Sequence, residues 1–422
     1  MTEKKKKDDP YSQAVASGRY VRETGLQGKY DNVRVFWEDE VTRIFLRPHV
    51  EALLERRTKE KKGIRILDLG CGSGDGYELL TRMRQGKANL TKNEIYLIPE
   101  NRLTQYKGIE INEDLLNQNA ARWGENSGMV FEWGDFSKGL PVMEGELPYD
   151  IYLTSYGAIS HLNEAQTVKL FADIVKHAED GSILIGDWLG RYSYEWRQLW
   201  NGETDKEHWM DYFISYIYPE NQREKARLTP LKLRLLCREE VLRMIKKVEE
   251  ETGINLEVKN IYDRSIFVGR HMDTGDYNSY LKPLRRAVNS LFERNLRTDL
   301  HQLLLAYHSH PEFSSPNKFF EEFHACWNFL VYHTIALCKG YDRGDHAVDI
   351  PSHQELPLLG ALERALHHIT QVTRNIGNFS LEDSRADVIE PQLAYALREL
   401  EISLQQGKGY GHGIVGIFVI NK

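Results

Sequence analysis

The sequence predicts an α/β protein: a largely parallel sheet over residues 63–272, interrupted by an aromatic-rich cap insertion, followed by a mostly helical module over residues 273–422. Three observations carry this reading. The run Ile64-Arg65-Ile66-Leu67-Asp68-Leu69 is a short apolar segment of the kind a buried parallel strand requires, and it feeds the glycine-rich turn Gly70-Cys71-Gly72-Ser73-Gly74. Further short apolar runs follow, each ending near an acid or a glycine and separated by stretches of helical spacing. Beyond residue 273 the apolar positions recur mainly at helical spacing.

Residues 1–62 precede the sheet. Lys4 to Lys7 read as a solvated tail, and after Gly18-Arg19-Tyr20 and Gly25-Leu26-Gln27-Gly28-Lys29-Tyr30 a helical run extends from Asp31 to about Arg57. Asp31 and Asn32 are its caps; Val33, Trp37, Val41, Ile44 and Phe45 share a face, and Pro48 predicts a kink or break. The first strand and its glycine turn lead into Tyr77-Glu78-Leu79-Leu80-Thr81-Arg82-Met83, so the turn lies between strand and helix. There, glycines let backbone N–H groups approach a ligand where a side chain would clash. The link from Gln85 to Gln105 is long enough for a hairpin around Glu94 to Ile98.

A second strand, Tyr106 to Asn112, ends in Glu110; a third, Met129 to Phe136, ends in Gly134-Asp135-Phe136; a fourth runs from Tyr149 to Tyr156 into Gly157-Ala158-Ile159-Ser160-His161-Leu162. After a helix from Asn163 to His177 comes a fifth strand, Ser182 to Trp188. Residues 191–233 hold Trp200, Trp209, Tyr212, Phe213, Tyr216 and Tyr218 where ligands of open α/β sheets bind, outside the strands' carboxyl ends, and are read as a substrate cap. The helix Arg238 to Thr252 and strands Leu256 to Tyr262 and Ser265 to Arg270, with Asp263-Arg264 as their turn, then close the sheet. In the module, Pro283 to Tyr307, Asn317 to Lys339, Leu358 to Arg374 and Ile389 to Gln405 have helical spacing. A glycine-rich loop, Gly407 to Gly413, feeds the apolar strand Ile414 to Ile420, expected at a sheet edge or against a partner subunit.

The lettering of these turns resembles the class I S-adenosylmethionine-dependent methyltransferases, over residues 15–272. Asp68 followed by Gly70, Gly72 and Gly74 is similar to that family's first signature, and a Rossmann-like methyltransferase sheet is the fold the resemblance implies. It implies S-adenosylmethionine as cofactor. Asp68 would hold its amino end above the turn of Gly70, Cys71, Gly72 and Gly74; Glu110, beside Ile111, would accept the ribose hydroxyls; Gly134, Asp135 and Phe136 would meet the adenine; and Ser155 would close the site. Residues 1–62 resemble the family's lid, with Tyr20, Tyr30 and Arg34 at the methionine end. His161 and Tyr156 are the catalytic candidates, and Asp187, Arg191, Tyr194 and Trp196 the substrate-binding ones. The implied core is 63–190 with 234–272.

The implied reaction is methyl transfer to an oxygen or nitrogen of a small molecule. The Asn/Asp-Pro-Pro-Tyr/Phe signature of DNA and protein N-methyltransferases is absent after the fourth strand, and a net charge of −7 argues against a nucleic-acid partner. A protein-directed methyltransferase docking its target through the module, and a non-catalytic cofactor-binding scaffold, are the alternatives. No window approaches the ~20 apolar residues of a membrane span, and no leader pattern is present, so a cytoplasmic location is expected. Cys71, Cys237, Cys326 and Cys338 lack paired spacing, and the histidines of the module, among them His308 and His310, lack partners at ligand spacing; no metal is expected. The surplus of apolar helices suggests a homodimer through the module.

Overall fold

The structure, a computed structural model, describes residues 9–20, 25–86, 90–93, 95–124, 126, 128–223, 229–343 and 359–422. The lysine-rich tail and Glu94 of the expected hairpin lie outside them.

Nine strands form one sheet. β1 (Ile64–Leu69), β2 (Leu103–Glu110), β3 (Met129–Trp133), β4 (Ile151–Leu153) and β5 (Ile183–Gly190) lie in the order β3-β2-β1-β4-β5, and every neighbouring pair is parallel. β5 is buried along its whole length, because residues alternate between two apolar layers: Ile183 and Ile185 face one, Leu184 and Trp188 the other. The second layer contains the helix Glu164–His177, closed by an Asn163–Gln166 capping box, and the helix Arg238–Thr252.

The expected closing hairpin is not formed. Asn255–Arg264 is one continuous strand, β8, and its partner is β9, Gly413–Asn421, antiparallel to both β8 and β5. The apolar run of β9 therefore lies between two strands inside the sheet rather than at an edge, which is where a segment without polar alternation loses least. Residues 265–412 thus form an insertion between two sheet neighbours.

A second feature positions the site. β4 pairs with β5 only up to Ile185; at Leu189 and Gly190 the same edge of β5 is taken by β7 (Leu231–Leu236), which pairs antiparallel with β6 (His208–Tyr212). The cap is thus partly an extension of the sheet, and residue 233 falls inside β7. Between β4 and β7 the edge of β5 forks.

The described helices are α1 (Pro10–Ala16), α2 (Asp39–Lys59), α3 (Asp75–Thr81), α4 (Glu113–Trp123), α5 (Glu164–His177), α6 (Arg238–Thr252), α7 (Leu284–Ser290), α8 (Ser314–Asp342), α9 (Leu359–Asn375) and α10 (Glu390–Leu404). Asp31 accepts the Arg34 N–H, a π turn covers Arg34–Glu38, and α2 continues unbroken past Pro48, whose ring lies on the solvent side. The predicted helix Pro283 to Tyr307 stops at Ser290, because Thr298 N–H turns to the buried Glu390 carboxylate and Asp299 caps a separate short turn. In the long β1–β2 link a single antiparallel bridge, Arg84 with Tyr96, is described instead of a hairpin. The module's apolar helix faces pack on the lid helix and β-sheet of this same chain: Trp37 lies in one cluster with Phe267, Trp327, Leu393 and Leu397.

Candidate functional site

A cavity of about 410 Å³ opens at the carboxyl ends of the parallel strands, in the fork of β5. One end is built by the turns after β1, β2 and β3. Gly70 and Gly72 have φ of 75° and 54°, which only glycine adopts without strain, and a Cβ on Gly70 would lie 2.7 Å from the Ala158 Cβ. Glu110 ties the turns together: Oε2 accepts the Gly72 N–H at 2.9 Å, and Oε1 those of Ile111 and Asn112 at 2.9 Å each. Burial pushes its carboxyl upward against these three donors. Gly134, Asp135 and Phe136 line the same end, with Asp135 oriented by the Ser137 N–H at 3.1 Å and hydroxyl at 2.5 Å.

Next to the glycine turn, Lys29 reaches down from the lid, donates to Ser73 Oγ at 2.6 Å and pairs with Asp75 at 2.8 Å, its ammonium 4.0 Å above the Tyr20 ring. Burial alone would raise the Asp75 carboxyl; Lys29 and Arg34 outweigh it and hold the group far below the usual range. Arg34 donates from Nε to Asp39 at 2.7 Å and lies 3.1 Å from the centre of the Tyr156 ring. Its Nη2 is buried without a hydrogen-bond partner among the described residues. Tyr156 is gripped on every side, since its N–H donates to Asp187 at 2.7 Å, its hydroxyl donates to Asp39, and Arg264 covers its other face at 4.8 Å. Burial pushes the Tyr156 hydroxyl well above its ordinary value, so the phenol keeps its proton. Asp187 also pairs with Arg264 at 2.9 Å, and its Oδ1 is buried without a hydrogen-bond partner among the described residues.

The other end is lined by Leu189, Tyr212, Ile214, Tyr216, Leu231 and Leu233. Of the six cap aromatics, Tyr212 and Tyr216 reach the cavity, because β6 and the turn after it face the fork. The lid helix α1 closes over the site: its cap Asp9 accepts from Asn112 Nδ2 at 2.5 Å, and the Tyr11 hydroxyl is 3.3 Å from His161 Nε2. Burial lowers the His161 imidazole to about 4.

Several sequence candidates lie elsewhere. Asp68 is fully buried beneath the glycine turn, where Tyr106 donates to it at 2.5 Å, and it does not line the cavity. Gly74 starts α3 at φ 79° behind the wall, and Tyr30 is packed behind Lys29 and Arg34. Arg191 is committed to Glu240 at 2.6 Å and to the Glu203 carbonyl at 2.9 Å. Tyr194 packs on Tyr307 and Phe320, and Trp196 donates to the Gly190 carbonyl at 2.9 Å, both in the core. These three follow β5 directly, but β7 occupies the edge there and turns them away from the fork. Among the described residues no His, Cys, Asp and Glu side chains group as metal ligands.

His412 lines the cavity and was not anticipated. Its Nδ1 is 2.6 Å from Glu195 Oε2. The only local signal was the histidine in a glycine loop next to an apolar run; that the run is β9 is a long-range fact.

No protein-family model and no curated protein sequence matches the chain. Solved structures do, over part of it. It is similar to an S-adenosylmethionine-dependent methyltransferase from Clostridium acetobutylicum at 13% identity and a TM-score of 0.34, covering 55% of this chain and 86% of that one. To the [4+2]-cyclase SpnF the identity is 16% and the TM-score 0.35, over 62% and 73%. To DesVI of Streptomyces venezuelae they are 16% and 0.22, over 31% and 44%, so this chain spans less than half of DesVI. At such values the strand order, not the overlays, defines the fold. Five parallel strands in the order β3-β2-β1-β4-β5, a reversed strand between β5 and β8, and a Gly-x-Gly-x-Gly turn after β1 are the arrangement that the resemblance to the class I S-adenosylmethionine-dependent methyltransferases implies.

Proposed function

We propose that the protein transfers a methyl group from S-adenosylmethionine to an oxygen or nitrogen of a small molecule. The observation that carries this reading is the continuity of one cavity from Glu110 and Asp135, past the glycine turn and Tyr156, to Tyr212 and Tyr216: a single space for two reactants. Fold alone does not assign a reaction.

The residues present suit the cofactor. Glu110 Oε2 holds one donor and a carboxylate accepts about four, so capacity remains for ribose hydroxyls. The bare backbone at Gly70 and Gly72 allows close approach, and Arg34 Nη2, 3.6 Å from Asp75 and without a hydrogen bond among the described residues, suits an amino-acid carboxylate. Asp135 and Phe136 would take the adenine, and Ile111 and Ser155 would flank the nucleoside. Once bound, the cofactor supplies an electrophilic methyl on a sulfonium. The protein's own task is alignment and exclusion of water. The α1 lid, clamped at Asn112 and His161, performs the second part; the Tyr156 ring, fixed between two guanidiniums, presents a rigid wall for the first. Asp187 Oδ1 is available to a donor on the acceptor.

Calorimetric titration of the full chain with S-adenosylmethionine tests this. Binding that weakens at least tenfold in Glu110→Ala and in Asp135→Ala is expected, followed by methyl uptake in an acceptor screen. Absence of binding to the wild type would overturn the reading.

A further inference from the structure

A hydroxyl acceptor must lose its proton as it takes the methyl group, and the fold brings one imidazole–carboxylate pair to the wall where that loss would occur. We propose that His412, oriented by Glu195, is the general base of the transfer, and that the acceptor is a flat aromatic hydroxyl. This inference rests on the methyl-transfer reading.

Topology places His412. Because β9 runs against the parallel strands, its amino-terminal end lies beside their carboxyl ends, with Gly413 opposite Leu189. The residue just before β9 therefore arrives at the active rim beside the end of β5, although it lies far from β5 in sequence. Its backbone is held on both sides: the Gly190 N–H donates to the His412 carbonyl at 3.0 Å, and the His412 N–H donates to the Ser265 carbonyl at 3.1 Å.

Chemistry selects it. The Glu195 side chain is fully buried and also accepts the His271 N–H and, at 3.3 Å, the Ser193 hydroxyl. Gly269 leaves the space it needs, since a Cβ there would lie 2.0 Å from Glu195 Oε2. With Nδ1–H donated to that carboxylate, the ring presents Nε2 as the acceptor, and no described residue hydrogen-bonds to it. A carboxylate behind the ring stabilises the imidazolium that proton uptake creates. Among the described residues His161 has only the Tyr11 hydroxyl as a hydrogen-bond partner. Beside His412 the wall is Tyr212, Ile214, Tyr216, Leu231 and Leu233, an aromatic and aliphatic slot for a flat ring. A phenolic hydroxyl, with a pKa of about 10, is within reach of such a pair.

The step balances. The acceptor O–H proton passes to His412 Nε2 while an oxygen lone pair forms the O–C bond; the C–S bonding pair stays on sulfur as a neutral thioether, and the imidazolium returns its proton to solvent.

The test is methyl-transfer kinetics over phenols of graded acidity with wild type, His412→Gln, Glu195→Gln and His161→Ala, and calorimetric S-adenosylmethionine binding on each. His412→Gln is expected to bind the cofactor within about threefold of wild type, to lose 100-fold or more in kcat on ordinary phenols, and to recover most of it with nitrophenols that arrive ionised. Glu195, a positioning residue, is expected to show a smaller loss with the same dependence on phenol acidity. Wild-type turnover in His412→Gln, or methyl uptake by amines alone, overturns the proposal. If the variants do not fold, wild type decides: a rate proportional to the phenolate already present in solution overturns the base, and a rate that does not follow it supports the base. A wild type that binds no S-adenosylmethionine fails the methyltransferase reading itself, and this inference with it.

Discussion

Tyr156 has a φ of 55°, a guanidinium on each face and a carboxylate at both its N–H and its hydroxyl. A non-glycine residue in the left-handed region costs on the order of 1 kcal/mol or more, and the surrounding bonds offset that. Its hydroxyl keeps its proton, so in the proposed transfer Tyr156 suits a wall rather than a base. Asp68 shows the same separation of role from appearance. Burial raises its carboxyl to about 7 from 3.8. A raised folded-state value means the folded protein binds that proton more tightly; the contribution of Asp68 to stability is therefore greatest below about pH 4, falls as pH rises towards 7, and is level beyond. The loss amounts to at most about 4 kcal/mol. Asp68→Asn, which keeps an acceptor for Tyr106, is expected to lose less stability than wild type between pH 5 and pH 8 in urea unfolding. Equal losses in the two proteins would count against it.

At the scale of elements, α1 is a short helix whose Ala14 packs into the core and whose amino-terminal end is clamped over the cavity. Asp9 both caps it and grips Asn112, at the turn that follows Glu110. Asp9→Ala removes the cap, worth about 1 kcal/mol, and the clamp with it. Cofactor dissociation several-fold faster than in wild type, with the melting temperature of the rest of the protein nearly unchanged, is the expected outcome by stopped-flow. The neighbouring π turn is anchored differently: Arg285 donates to Asp31 at 2.7 Å and to Glu38 at 2.6 Å, all three buried. Arg285→Ala removes one of the two guanidiniums that serve these buried carboxylates, leaving Arg270 3.1 Å from Glu38 and 3.7 Å from Asp31, and is expected to cost about 3 kcal/mol in denaturant unfolding.

At the scale of the whole molecule, the helical module is not an appendage. It is threaded between β8 and β9, and its Glu401 accepts from Trp37 Nε1, Ser265 N–H and Ile266 N–H, tying the π turn before α2 to the end of β8. A chain cut after residue 272 lacks β9 and leaves one edge of β5 and one of β8 without hydrogen-bond partners. Such a fragment is expected to show no cooperative thermal unfolding by circular dichroism, whereas an independent core would unfold cooperatively.

The parts of the site built from contiguous residues were legible in the sequence. A strand that ends in Gly70-Cys71-Gly72, and another that ends in Glu110, state both the element and the group it presents, because strand, turn and side chain lie within a few residues. Arg191, Tyr194 and Trp196 misled for the same locality: proximity to the end of β5 says nothing of the β7 edge that displaces them. His412 and the closing strand were illegible. An apolar run states that it must be buried, but not which strands bury it. By itself the sequence determined the α/β class, the parallel order of turns and the Gly70, Glu110 and Asp135 end of the cavity, since these follow from local periodicity and turn chemistry. Only the tertiary structure decided that β9 closes the sheet and that His412 and Glu195 meet at the cavity, because pairing between distant segments is chosen by the burial available to the whole chain.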